Sequence, residues 1–156
     1  MKIKGILLGL VLTLAVLAQA QTSVYQPLYN PGNTYSLANL LTTTVTRDTV
    51  TNAGTGYLNS KRINGSGEVT IQANVTDVSG TTAGSLTLWG SLDGVNYAVI
   101  PTTETQTSVT VGTLTDQAGT KAWVWRLVGS DFLYYRVVQS GGTTAVTYLD
   151  GFIMKH

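Results

Sequence analysis

Residues 68–77 alternate without a break: Val69, Ile71, Ala73 and Val75 fall on one side, and Glu68, Thr70, Gln72, Asn74 and Thr76 on the other. A period of two marks a strand with one buried and one wet face. Such a strand needs paired neighbours, because buried backbone donors and acceptors are not left unmatched. The rest of the chain offers them. Residues 84–100 read as a hairpin, with Leu86, Leu88 and Leu92 on one face of its first strand and Thr87, Trp89 and Ser91 on the other. Asp93-Gly94 supplies a tight turn. On the return, Val95, Tyr97 and Val99 alternate with Asn96, Ala98 and Ile100 until Pro101.

Later segments repeat the pattern. In residues 122–128, Trp123, Trp125 and Leu127 lie opposite Ala122, Val124, Arg126 and Val128. In residues 132–139, Leu133, Tyr135 and Val137 lie opposite Phe132, Tyr134, Arg136 and Val138. A Thr/Val run at 42–51, short stretches at 57–63 and 108–111, and a long one at 144–154 suit pleated surfaces through their β-branched content. That makes about eight or nine strands, with turn signals at roughly 8–12-residue spacing. One helical turn at 36–41 is the only other element expected. The chain reads as all-β: a single antiparallel β-sandwich.

At 156 residues the chain has a one-domain length. Its start reads differently. Lys2 and Lys4, an apolar run over 6–17 and Ala18-Gln19-Ala20 form the three parts of a secretory signal peptide. The run is shorter than the roughly 20 apolar residues that span a bilayer, so no stable membrane anchor is expected after cleavage. The expected organisation is a signal peptide at 1–20, an extended arm with Tyr and Pro at 21–39, and a β-sandwich domain at 40–156. Pro27 and Pro31 lack a backbone donor, which does not suit a central strand. Tyr25, Tyr29 and Tyr35 either pack on their own domain or reach a neighbouring subunit. The expected location is secreted, or at a cell or virion surface.

Without Lys2 and Lys4 the formal charge goes from +1 to −1. No basic cluster exceeds Lys61-Arg62, so nucleic acid is not an expected partner. With no cysteine there is no disulfide, and the core alone must stabilise the fold. Charged residues are only 11% of the chain, which leaves little repulsion between molecules. A homo-oligomer or a larger extracellular or virion assembly is therefore expected.

The residues for catalysis are sparse. The single histidine is His156, and a chain terminus holds a proton-transfer geometry poorly. Clusters of His or Cys for a transition metal are absent, as is a calcium loop of the D-x-[DN]-x-[DN]-G type. Asp48, Asp77, Asp93, Asp116, Asp131 and Asp150 fall mostly at strand ends and turns, where Asp serves the backbone. The expectation is a protein that is not an enzyme, with no catalytic residue, cofactor or metal.

Aromatic residues are the remaining candidates for a contact site. Trp123 and Trp125 project to one side of a strand about 6–7 Å apart. They either stack on successive sugar rings or continue into the core with Leu127. Trp89 faces away from Leu86 and Leu88, beside Thr87 and Ser91, and is the stronger candidate. Tyr97, on the return of the hairpin, joins it. Asp93 and Gly94 are read as turn formers, Gly94 through its freedom to take a positive φ.

The string Ser91-Leu92-Asp93-Gly94-Val95-Asn96-Tyr97 resembles the S-x-DG-x-N-[WY] hairpin of discoidin-like β-sandwich modules. Tyr134-Tyr135-Arg136-Val137-Val138 is similar to a strand that often follows it. Together with Asp48-Thr49-Val50-Thr51-Asn52-Ala53-Gly54, these patches also resemble small uncharacterised bacteriophage virion or tail accessory proteins. The resemblance implies a jelly-roll or discoidin-like sandwich that binds glycans or lipid head groups through loops at one end. The expected function is that of an exported or particle-surface structural or adhesive module. The alternative is a carbohydrate-binding module using exposed aromatic residues.

Overall fold

The computed structural model describes residues 24–31, 47–64, 67–101, 112–114, 119–142 and 144–156. The signal-type segment at 1–20, the helical turn at 36–41 and the strand at 108–111 lie outside the described residues. Ten strands are described: β1 (Val24–Pro27), β2 (Arg47–Thr51), β3 (Thr55–Asn59), β4 (Gly67–Ser79), β5 (Gly84–Ser91), β6 (Ala98–Val99), β7 (Gly112–Leu114), β8 (Thr120–Ser130), β9 (Tyr134–Gly141) and β10 (Val146–Lys155).

They form two antiparallel five-stranded sheets. Sheet A runs β1-β10-β4-β8, with β2 also on β10. Sheet B runs β3-β9-β5-β6, with β7 also on β5. Two short strands thus share one long edge in each sheet. β1 takes residues 152–155 of β10 and β2 takes 146–150; β6 takes 89–90 of β5 and β7 takes 84–86.

The alternation of β4 places Val69, Ile71, Ala73 and Val75 in the core, as its sequence predicts. Leu86 and Leu88 of β5, Tyr135 and Val137 of β9, and Leu149 and Ile153 of β10 meet them between the sheets. This is the all-β sandwich expected, with ten described strands where eight or nine were read. Of the stretch read as an arm, the described residues 24–31 run along the sandwich. Residues 24–27 form an edge strand, where a proline is tolerated. Tyr25 stacks on Phe152 at 5.3 Å, and Leu28 is fully buried.

The hairpin differs from expectation. β5 ends at Ser91, and the return strand is only Ala98–Val99, paired with Gly90 and Trp89. Residues 92–97 form a loop instead of continuing the ladder, and Leu92 stands in solvent at 63% exposure. Side chains within the loop divert the backbone.

Candidate functional site on the outer face of sheet B

The site begins with the alternation of β9. Tyr135 and Val137 point into the core, so Tyr134, Arg136 and Val138 point outward, half-buried. β5 does the same with Leu86 and Leu88 inside and Thr87 and Trp89 outside. In β3, Leu58 is inside and Tyr57 outside. Register then assembles the face. Asn59, Arg136, Trp89 and Val99 form one cross-strand row, and Tyr57, Val138 and Thr87 the next.

Arg136 sits at the centre. Its guanidinium carbon lies 3.8 Å from the centroid of the Tyr97 ring and 4.6 Å from that of Tyr57. Cation–π attraction to two faces holds it in place. Its Nε–H is donated to Asn59 Oδ1 at 2.8 Å. Trp89 donates its indole N–H to Thr87 Oγ1, two residues back on the same strand, at 2.9 Å. The bond lays the indole along its own strand.

The loop that delivers Tyr97 is tied internally. Ser91 Oγ donates to Asp93 Oδ1 at 2.9 Å and accepts the backbone N–H of Gly94 at 2.9 Å. Asp93 Oδ1 accepts the backbone N–H groups of Val95 and Asn96, both at 2.8 Å, and Oδ2 accepts the Asn96 amide at 2.7 Å. These donors, the Asn96 backbone N–H foremost, hold the Asp93 carboxyl far below the usual carboxylate range. Gly94 has φ 77°, and a Cβ there would meet the Tyr134 ring at 3.1 Å. Both residues are the turn formers the sequence predicts, though the turn is longer than a two-residue hairpin. Burial raises the Tyr97 phenol above its ordinary value, and the Arg136 charge opposes part of that.

Beneath the loop lies a cleft of about 350 Å³ lined by Gly90, Ser91, Leu92, Asp93, Asn96, Tyr97, Ala98 and Phe132. Gly90 makes room for Phe132, whose ring carbons would lie 2.6 Å from a Cβ at that position.

The structure thus brings Trp89 and Tyr97 together, as half-buried groups around Arg136. It separates Trp123 and Trp125 from them. Both belong to the inner row of β8, with 6% and 0% exposure, paired with Ala73 and Ile71 of β4. They are core residues and present no ring to a ligand. The cause is the continuous inward row they form with Leu127, opposite small or apolar side chains.

Sequence reasoning missed Arg136, Tyr57 and Asn59 as site residues. The outward placement of Arg136 in β9 was readable, but the stack needs the register of β3 on β9 and the path of the 92–97 loop. Three described aspartates outside this loop have structural partners. Asp48 accepts the Tyr57 backbone N–H at 2.9 Å, Asp77 the Thr82 hydroxyl at 2.8 Å and Asp150 the Asn74 amide at 2.7 Å.

No family model and no curated protein matches the chain. Among solved structures, it is similar to a protein described as Family 16 Carbohydrate Binding Module-2, with TM-score 0.40 and 10% identity over 69% of this chain and 74% of that one. It is also similar to the SPBc2 prophage-derived protein YomS, with TM-score 0.34 and 11% identity over 70% of this chain and 93% of that one. Superpositions of this extent carry no information about ligand or role.

Proposed function

We propose that this chain is a non-enzymatic adhesive module of a cell or particle surface, and that it grips carbohydrate on the outer face of sheet B. One observation carries the reading: Trp89, Tyr57, Tyr97 and Tyr134 gather on a single open sheet face around the Arg136 donors. A sugar ring is apolar on its faces and polar at its rim. Flat aromatic rings match the faces, and a guanidinium supplies in-plane donors for the rim. The tied 92–97 loop walls one end of this surface and fixes Tyr97 on it. The charged start and apolar run of residues 1–20 support an exported or surface location.

Intrinsic fluorescence gives a clean test, because two of the three tryptophans are buried and only Trp89 lies on the face. Titration with a broad oligosaccharide panel is expected to quench or shift the Trp89 signal. Trp89→Ala is expected to weaken binding by about tenfold or more, the usual cost of truncating an aromatic anchor. Silence across the panel in calorimetry, or full affinity in Trp89→Ala, contradicts the reading.

A further inference from the structure

Resting on the carbohydrate reading of this face, we infer that the ligand is an acidic sugar, bearing carboxylate or sulfate, and that Arg136 binds its anionic group. Two outward-facing arginines, Arg136 on an inner strand of sheet B and Arg126 on the edge strand β8 of sheet A, are treated differently. On sheet A, Arg126 is matched by Glu68 through a two-pronged pair at 2.5 and 2.7 Å. On sheet B, no carboxylate among the described residues lies within ion-pair distance of Arg136. Asp93, in the loop that carries Tyr97, already accepts hydrogen bonds on both oxygens from its own loop.

A half-buried cation without a counter-charge is costly. Two ring faces offset part of that cost and do not neutralise the charge. They also fix the guanidinium plane, and Asn59 takes Nε–H. The guanidinium also lies within hydrogen-bonding reach of the Tyr97 hydroxyl, and the terminal N–H groups beyond that contact keep the planar geometry that suits a carboxylate or sulfate. An anion arriving there meets an arginine whose orientation is already set, with the Trp89 indole one strand away for the sugar ring.

The test is calorimetry on the folded chain with matched probes: tetragalacturonate against its methyl ester, a chondroitin sulfate tetrasaccharide against its desulfated and carboxyl-reduced form, cellotetraose, and polyglutamate. At least one acidic sugar is expected to bind about tenfold or more tighter than its uncharged counterpart, the factor that roughly 1.4 kcal/mol gives. Added salt is expected to narrow the gap. Arg136→Gln is expected to bring acid and counterpart level, while Arg126→Gln on the opposite sheet leaves the preference intact. Equal binding of acidic and uncharged partners overturns the inference and leaves the carbohydrate reading standing. Polyglutamate binding as tightly as the best sugar overturns the assignment to a saccharide. If no oligosaccharide binds, both fall. The acid-against-ester comparison uses the unaltered chain, so it decides even if Arg136→Gln fails to fold.

Discussion

Asp93 fixes the shape of the loop that carries Tyr97. Four hydrogen bonds end on its carboxylate, and they hold its acidity well below the ordinary carboxylate range. The sign of the pH effect follows. The folded-state value lies below the unfolded one, about 3.9 for Asp. The stabilisation is therefore complete above about pH 4 and is lost as pH falls toward the folded value. Thermal melting across the acid range is expected to show the midpoint falling below about pH 4, with faster proteolysis in residues 92–97. Asp93→Asn is expected to lower the midpoint at neutral pH and flatten the acid limb. Glu68, lowered chiefly by its hydrogen bond from Arg126, leaves a residual slope of the same sign. A variant that melts like the parent at neutral pH would show that the loop does not depend on this carboxylate.

At the scale of elements, β4 is legible because Val69, Ile71, Ala73 and Val75 alternate with polar residues. The loop after β5 is not. Asp93-Gly94 locally signals a two-residue turn, yet the hydroxyl of Ser91 and the carboxylate of Asp93 offer the backbone donors a closer partner than the opposite strand. The fate of the two tryptophans in β8 was open for a related reason: alternation shows that they share a face, and only packing shows which face is inside. Their position yields a clean division of effects. Trp125→Ala is expected to cost about 3–5 kcal/mol of stability in urea denaturation, whereas Trp89→Ala is expected to leave stability nearly unchanged while impairing binding. A Trp125→Ala protein of parental stability would contradict the core placement. Arg136 and its two tyrosines lie at positions 57, 97 and 136 on three separate segments, and no local pattern joins them.

Across the whole molecule, the sheets are joined by more than apolar contact. Gln139 of β9 in sheet B donates its side-chain N–H to Thr147 Oγ1 of β10 in sheet A at 2.6 Å, and both residues are buried. Gln139 Oε1 has no partner among the described protein groups. Thr147→Val leaves a buried amide donor unmatched and is expected to cost about 1–3 kcal/mol. Adding Gln139→Leu is expected to recover much of that loss, which a double-mutant cycle in urea would measure. Additive losses would mean that the two side chains do not interact. The order of strands in sheet A has a kinetic consequence as well. β10, last of the described strands in the chain, stands between β4 on one side and β1 and β2 on the other. Before it arrives, those three strands have no common neighbour, and the earliest described segment waits for the latest. During synthesis sheet A therefore stays open until β10 arrives, whereas sheet B and the β4–β8 pair do not depend on it, and closure of the sandwich comes late and slowly.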